Sequence, residues 1–268
     1  MIILLIVVII LLVIVLWGIY ENKVLLTVRR EDLGGSLKIA HISDTHRRSF
    51  GRNSSELIAK TAAESPDLIL LTGDMVSRDE TDFRLLRSTL NGLNKIAPVY
   101  MIYGNHEQSL PPEFHPELEE IIHTSGTILL NNKVSKRVIN DNELYICGIY
   151  PKYTTYKKSG GYRDLDTVTA QDIKAMVGDH PSGRTLLMAH NPLFAESYAE
   201  WGAEYTFSGH VHGGSVRLFG VGLLSPERKL LPRYSKGVYD VNGMKLCVSA
   251  GLGKPRLFDP AEIVVYRI

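Results

Sequence analysis

The chain has 268 residues, with 30 Lys and Arg against 29 Asp and Glu and a net charge of +1. Its composition is that of an ordinary globular protein, and the absence of a basic tail or stripe argues against nucleic acid as the main partner. Cys147 and Cys247 both lie in apolar, strand-like runs, which favours buried thiols over a disulfide or a catalytic cysteine.

The chain begins with an uninterrupted apolar segment. Residues 2–16 are all apolar, and the run continues through Trp17 to Tyr20, close to the ~20 residues that a helix needs to cross a bilayer. We therefore predict a transmembrane anchor at 1–20. A buried core helix would rarely be apolar on every face, and a cleaved signal peptide would show a basic start and a small-residue cleavage site, which are missing here.

The charges that flank this segment predict its orientation. No Lys or Arg precedes it, whereas Lys23, Arg29 and Arg30 follow closely, so the positive-inside rule places the rest of the chain in the cytoplasm. The expected organisation is a single-pass cell-membrane protein with a linker at 21–36 and one domain at 37–268.

Short apolar runs alternate with helical patterns from residue 37 onward. Strands are predicted at 37–43, 67–73 and 97–104, with helices at 53–65 and 81–95 between them. This order predicts a partly parallel sheet covered by helices. Further strands are predicted at 143–149, 185–191, 205–209, 245–251 and 262–268.

Two loop regions lie between the later strands. Residues 153–163 are rich in Gly, Tyr and Lys and predict a long surface loop. Residues 216–224 (VRLFGVGLL) are unusually apolar for this position. They predict either a core hairpin or an apolar rim that meets lipid chains.

The polar residues of interest share one placement, directly after a predicted strand. Because ligands bind at the carboxyl ends of strands in open α/β sheets, we expect these side chains to converge on one site. They are Asp44 and His46, Asp74, Asn105 with His106 and Glu107, His190, and His210 with His212.

The residue types predict a metal site without thiolates. Asp, His and Asn donors suit Mn, Fe or Zn. The candidates are too many for one tetrahedral ion and fit two divalent ions that share a carboxylate, an arrangement suited to phosphoryl displacement. A Gly precedes Asp74, Asn105 and His210, which fits sharp turns or close backbone approach at a crowded centre.

Other polar residues have weaker patterns. Arg47 and Arg48 follow the first motif directly; they can meet a substrate phosphate or form a solvated basic turn. His41 lies inside the first strand and is expected to be packed there.

Five motifs, SDTH, LTGD, YGNHE, MAHNP and GHVHGG, span residues 43–214. Together they resemble the ordered motifs of the calcineurin-like metallophosphoesterase superfamily. The tail at 251–268 resembles the membrane-associated bacterial branch typified by YkuE- and YaeI-like phosphoesterases. The resemblance implies a four-layer α/β/β/α sandwich.

The resemblance also implies a role for each residue. Asp44, His46 and His212 would hold one ion, Asp74 would bridge, and the second ion would be held by Asn105, His190 and His210. His106 would not bind metal but would lie near the scissile phosphate, stabilising charge or protonating the leaving oxygen. Glu107 would orient the His106 imidazole. Thr45 departs from the larger apolar residue of many relatives.

The predicted function is hydrolysis of a phosphodiester, phosphomonoester or pyrophosphate, with a lipid-linked or envelope substrate favoured by the anchor. Two alternatives remain open. The chain can be a catalytically silent, membrane-tethered metal-binding protein, against which the intact His106 argues. It can also be a nuclease of the same superfamily, against which the anchor and the missing basic groove argue.

Overall fold

The computed structural model describes residues 1–139, 142–159, 161–162, 164–214, 216–226, 228, 230–253 and 256–268. The helices are α1 (Ile2–Lys23), α2 (Ser55–Ala63), α3 (Arg84–Leu93), α4 (Asn105–Gln108), α5 (His115–Thr124), α6 (Ala170–Val177) and α7 (Ala195–Trp201). The strands are β1 (Leu26–Asp32), β2 (Lys38–Ile42), β3 (Leu68–Leu71), β4 (Val99–Met101), β5 (Ile128–Leu129), β6 (Lys133–Ile139), β7 (Asn142–Gly148), β8 (Arg184–Met188), β9 (Tyr205–Ser208), β10 (Arg217–Leu218), β11 (Val221–Gly222), β12 (Gly237–Val241), β13 (Met244–Val248) and β14 (Ala261–Arg267).

The strands form two six-stranded sheets and one small hairpin. The first sheet has the order β1-β14-β2-β3-β4-β5, and the second has the order β12-β13-β9-β8-β7-β6. Strands β2, β3 and β4 are parallel neighbours, as are β8 and β9, so their carboxyl ends point the same way within each sheet. The hairpin pairs β10 with β11.

Side-chain alternation divides the interior into three layers of core. In β3, Leu68 and Leu70 face the second sheet, whereas Ile69 and Leu71 pack with the buried residues of α2, α3 and α5, as the two-residue period of a strand requires. A third cluster joins the second sheet to α6 and α7, including Trp201. These three interfaces confirm the expected four-layer α/β/β/α sandwich.

The segment at 21–36, expected to be a linker, is part of the domain. Residues 26–32 form β1, an edge strand that pairs in parallel with β14. Arg29 on β1 donates to the buried carboxylate of Glu262 from Nε at 3.0 Å and Nη2 at 3.1 Å. The sequence pattern missed this strand because its LTVRRED run is half polar, and only pairing with a distant strand satisfies its backbone.

Helix α1 extends beyond the predicted end of the anchor. It is long and apolar enough to cross a membrane by length and composition, and its most apolar window has no buried residue. Its last turns contact the domain: Glu21 is buried and accepts a hydrogen bond from the Phe258 N–H at 2.7 Å. The Asn22 side-chain oxygen Oδ1 accepts from the Arg256 N–H at 2.9 Å.

The predicted loop at 153–163 is only partly exposed. Residues 160 and 163 lie outside the described residues, as do residues 254 and 255 of the tail. Tyr156 in this stretch is buried, with 3% of its surface exposed. Its ring lies 5.2 Å from that of His210. The stretch therefore forms a wall of the site described below.

Candidate metal centre

Loops from both sheets meet at one place. In the first sheet, Asp44, Asp74 and Asn105 follow β2, β3 and β4, and in the second sheet His190 and His210 follow β8 and β9. Each strand ends at the same edge of its sheet, and the two edges adjoin. The predicted convergence of these side chains is confirmed.

Several of the candidate ligands have a strained backbone. Asp44, His46, Asp74, His210 and His212 all have positive φ angles, between 44° and 68°. This left-handed region is costly for non-glycine residues and persists only when the surroundings impose it, most often at functional sites. The strain indicates that these five residues lie at a functional site. The positive φ angles could not be predicted from the sequence pattern.

One ligand group surrounds Asp44. The side chains of Asp44, His46 and His212 present donor atoms within 4.8 Å of one another. His212 Nε2 lies 3.7 Å from Asp44 Oδ1, and His46 Nε2 lies 4.0 Å from the same oxygen. Burial lowers the pKa of His212 to about 3, so its imidazole is neutral and keeps a lone pair.

A second group surrounds Asp74. The donor atoms of Asp74, His190 and His210 also lie within 4.8 Å of one another. His190 Nε2 is 3.3 Å from Asp74 Oδ2 and 3.2 Å from His210 Nδ1. The buried side-chain oxygen of Asn105 has no hydrogen-bond partner in the described part of the protein, which fits a donor for a cation.

The chemistry of the second group calls for a cation. His190 Nδ1 lies 2.7 Å from the Thr72 carbonyl oxygen, a contact that requires the proton on Nδ1. In the neutral ring, the Nε2 lone pair then faces the Asp74 carboxylate. This contact is repulsive unless a cation lies between the two groups or the ring is protonated. Burial lowers the pKa of His190, but Asp74 and Asp44 raise it to about 10. The residues present therefore fit a divalent metal.

Glycines make room for this packing, as predicted. A Cβ on Gly104 would lie 2.3 Å from Asp74 Oδ1 and 2.8 Å from His190 Nε2. A Cβ on Gly209 would lie 2.3 Å from Asp44 Oδ2. Any side chain at either position would displace a candidate ligand.

Glu107 has a different role from the predicted one. Its buried carboxylate accepts main-chain N–H bonds from Asp74 at 2.9 Å, Gly104 at 2.8 Å, Met75 at 2.6 Å and Val76 at 3.2 Å. It makes no hydrogen bond to His106 among the described residues. The prediction that Glu107 orients the imidazole is thus wrong; Glu107 instead fixes the two turns that carry Asp74 and Asn105.

His106 lies at the mouth of the centre beside Arg78, a residue that the sequence analysis missed. The Arg78 main-chain N–H donates to His106 Nδ1 at 3.2 Å, and the Arg78 guanidinium nitrogen Nη2 lies 2.8 Å from Nε2. Burial, with His46 and Arg78 nearby, lowers the pKa of His106 to about 4. The donor atoms of His106, His46 and Asp74 also lie within 4.8 Å of one another.

The two arginines proposed from the first motif diverge. Arg48 is buried and donates to the main-chain oxygens of Leu252 at 2.8 Å and Glu21 at 3.0 Å. It is therefore a structural residue that ties the motif to α1. Arg47 is exposed, pairs with Asp79 and lines a cleft of about 420 Å³ shared with His46, His106 and His212. His41 is packed in the core, as predicted, 2.7 Å from Thr72 Oγ1.

The remaining wall of the centre is aromatic and basic. Tyr153, Tyr156, Lys157 and Tyr162 line the opening together with Arg78 and Pro226. Arg78 and Lys157 supply positive charge, and no Asp or Glu other than Asp74 lines this opening among the described residues. Such an opening suits an anionic ligand.

The family model described as calcineurin-like phosphoesterase matches residues 37–214. The match covers most of the chain and all five motifs, so the chain belongs to the calcineurin-like phosphoesterase family. Proteins of this family use divalent metals, and the Asp and His groups described above are able to hold one.

Two relatives are named for an enzymatic activity. The chain is 26% identical over 191 residues to the phosphodiesterase YaeI of Escherichia coli, covering 70% of this chain and 65% of YaeI. It is 22% identical over 273 residues to the UDP-2,3-diacylglucosamine pyrophosphatase LpxG of Chlamydia muridarum, covering 86% of this chain and 83% of LpxG. The chain spans only 60–65% of the length of the first relatives that it matches.

A solved structure shares the fold. The phosphopantetheinyl hydrolase of Mycobacterium tuberculosis has a TM-score of 0.50 and 14% identity, covering 80% of this chain and 89% of that chain. At this identity the likeness concerns the fold alone.

Proposed function

We propose that this chain is a membrane-anchored, dinuclear-metal phosphoesterase whose substrate is a lipid-linked or envelope phosphate ester. The observation that carries the proposal is the position of Asp74 between the two ligand groups. Its Oδ2 lies 3.3 Å from His190 Nε2 and 3.8 Å from His46 Nε2. One carboxylate can therefore serve two ions, as in two-metal hydrolases.

The proposed ligand sets are those that the family resemblance implies, and the grouping of the donor atoms supports them. Asp44, His46 and His212 would hold the first ion, Asp74 would be shared, and Asn105, His190 and His210 would hold the second. When bound, the two ions stabilise the negative charge of the attacking and leaving oxygens. The donors suit Mn, Fe or Zn.

His106 and Arg78 act on the substrate in this proposal. Both ring nitrogens of His106 face donors of Arg78: the main-chain N–H lies 3.2 Å from Nδ1, and the guanidinium nitrogen Nη2 lies 2.8 Å from Nε2. Nε2 also faces the centre, 4.0 Å from Asp74 Oδ2. When the guanidinium turns to a phosphoryl oxygen of the bound substrate, Nε2 can carry the proton and donate it to a phosphoryl or leaving-group oxygen. The adjacent guanidinium, which matches phosphate oxygens in shape and charge, stabilises the same charge and disfavours a third metal there.

The membrane part of the proposal is supported by α1 and by the likeness to LpxG, a UDP-2,3-diacylglucosamine pyrophosphatase. If α1 spans the bilayer, it keeps the centre near the membrane, because the helix ends at Lys23, immediately before β1. A sugar–lipid pyrophosphate is one concrete substrate class, and the likeness to the phosphodiesterase YaeI favours a phosphodiester. Lys23, Arg29 and Arg30 favour a cytoplasmic domain.

The test uses the full chain in detergent, because truncation at residue 29 would cut β1. The purified protein is loaded with Mn²⁺, and hydrolysis of a chromogenic phosphodiester is compared with that of the matching monoester. Asp74→Asn and His106→Ala run beside His123→Ala, a change at an exposed histidine on α5. Metal-dependent turnover that collapses in the first two variants but not in the third supports the proposal.

Other outcomes choose between the alternatives. Two bound metals per chain without turnover of any diester, monoester or lipid pyrophosphate indicates a tethered metal-binding protein. Turnover of DNA that falls steeply with salt indicates a nuclease. A folded chain that binds no metal contradicts the dinuclear centre.

A further inference from the structure

The small hairpin β10–β11 exposes apolar side chains. It is therefore not the core hairpin that was one of the two predictions for residues 216–224. Phe219 at its tip is fully exposed, and Leu218 and Val221 are 42% and 50% exposed. Leu230, Leu231 and Phe258 are also exposed, at 78%, 63% and 44%. These six residues, here called the apolar ridge, lie outside all three cores.

The ridge is attached to residues 256–258, the stretch before β14 that contacts the end of α1. The Arg217 N–H donates to the Leu257 carbonyl oxygen at 3.0 Å, and Val216 and Leu257 form a bridge. On its other side, the same short stretch contacts the end of α1. Asn22 and Glu21 hydrogen-bond Arg256 and Phe258, and a Cβ on Gly18 would lie 3.5 Å from the Leu257 side chain.

This attachment determines which face of the domain meets a bilayer. If α1 crosses the membrane, residues 18–22 lie where the helix leaves it, since Trp17 and Tyr20 are of the type that prefers the headgroup level. Leu257 then lies at the membrane surface, with the hairpin directly beside it. Lys23, exposed at the end of α1, can pair with anionic headgroups.

The ridge is also connected to the metal centre. Residues 212–214 lead from a candidate ligand towards the hairpin, and the Leu224 N–H returns to the Gly214 carbonyl oxygen at 3.1 Å. Pro226, just beyond, lines the opening of the centre with Asn105 and His106. The same piece of chain therefore joins the membrane-facing ridge to the rim of the candidate active site.

We propose that the apolar ridge is a second membrane-contacting element, which inserts Phe219 and its neighbours into the headgroup and upper acyl region. The occupant of this surface is the lipid bilayer that holds α1. Together, α1 and the ridge fix the rotation of the domain on the membrane and bring the rim at Pro226 to the lipid surface. This inference rests on the proposed membrane anchoring and gives it a defined orientation.

Site-directed labelling of the full chain tests it. Cys147 and Cys247 are buried, so a thiol-reactive, environment-sensitive fluorophore selects an introduced cysteine. Phe219→Cys is compared with Val8→Cys inside α1 and Val138→Cys on β6, an apolar position that is 66% exposed. Each protein is placed in nanodiscs of phosphatidylethanolamine and phosphatidylglycerol, with and without nitroxide-labelled lipid.

Quenching at Phe219→Cys at least about twofold above that at Val138→Cys is expected, since a tip that inserts lies within reach of the nitroxide. Quenching at Val8→Cys with none above background at Phe219→Cys overturns the ridge and leaves the anchor standing. Absence of quenching at both positions contradicts the anchor and the ridge together. A disulfide between two Phe219→Cys chains without lipid quenching assigns the surface to a second copy and also overturns the proposal.

Discussion

At the scale of single residues, the candidate centre depends on charges that are buried before any metal arrives. Asp44 and Asp74 are buried, and neither pairs with a Lys or Arg in the described chain. Burial raises the pKa of Asp74, but His190, His106 and His46 lower it more, so the net pKa lies well below its ordinary value. Ionised carboxylates in this position are ready to bind cations.

Arg78 is predicted to bind the substrate rather than the metal. Arg78→Ala should lower kcat/KM for a phosphodiester by about 10- to 100-fold, the loss expected for one charge-assisted hydrogen bond, with metal content unchanged. Arg87→Ala, at an exposed position on α3, is the matched control. Steady-state kinetics and metal analysis check both, and an unchanged kcat/KM for Arg78→Ala would contradict a role in substrate binding.

Gly104 is predicted to be required for the second ion. Gly104→Ala should reduce bound metal below two ions per chain, because the new Cβ would lie 2.3 Å from Asp74 Oδ1. Elemental analysis of the purified variant measures the stoichiometry, and circular dichroism shows that the chain still folds. Two tightly bound ions in a folded Gly104→Ala protein would show that Asp74 is not placed as described.

At the scale of elements, β1 is the unexpected member of the first sheet. It covers the edge of β14 and carries Arg29, while Lys236 lies 2.9 Å from the same Glu262 carboxylate. Burial raises the pKa of Glu262, but Arg29 and Lys236 lower it to about 2. An ion pair joins a short N-terminal strand to the last strand of the chain.

The truncation limits follow from this arrangement. A chain that lacks residues 1–24 keeps β1 and should fold. A chain that lacks residues 1–33 loses the strand and leaves the buried Glu262 carboxylate with Lys236 but without Arg29, so it should be markedly less stable. Yield and cooperative unfolding of the two proteins, measured side by side, check the prediction. Equal stability of both would mean that β1 does not contribute to the domain.

The same ion pair predicts a pH dependence of stability. The folded pKa of Glu262 is about 2, below the ordinary value of 4.5, so its contribution of about 3 kcal/mol is present above pH 4.5 and is lost as the pH falls towards 2. Glu262→Gln removes this contribution. Urea unfolding at neutral and acidic pH should show a difference between the two proteins that shrinks on acidification; a constant difference would contradict the ionised pair.

At the scale of the whole molecule, the candidate metal centre lies between two sheets. Its candidate ligands come from loops after β2, β3 and β4 on one side and β8 and β9 on the other. Each ion at 100-fold its Kd should stabilise the fold by about 2.7 kcal/mol. We expect chelation to lower Tm by several degrees, and Asp74→Asn to lose most of this response in thermal scans. An unchanged Tm on chelation would indicate that the ions do not join the sheets.

The sequence by itself determined the strands of the core, the five motifs and the residues that converge. Buried parallel strands are recognisable as unbroken apolar runs, and the polar residue that follows each one is local information. The long apolar helix α1 is equally local, since its recognition requires only length and hydropathy. The family resemblance added the layer order, which the three cores confirm.

Only the tertiary structure decided the rest, because it depends on partners far apart in the chain. β1 is half polar and is a strand only because it pairs with β14, in a register that joins Leu26 to Ala261 and Asp32 to Arg267 at the other end of the chain. Glu107 binds four main-chain N–H groups rather than its neighbour His106, and Arg48 meets α1 rather than solvent. Arg78 lies outside the five motifs, so its place beside His106 could not be predicted. The exposure of Phe219 depends on which residues pack around the hairpin. Such roles are defined by the surroundings of a side chain, which sequence spacing does not specify.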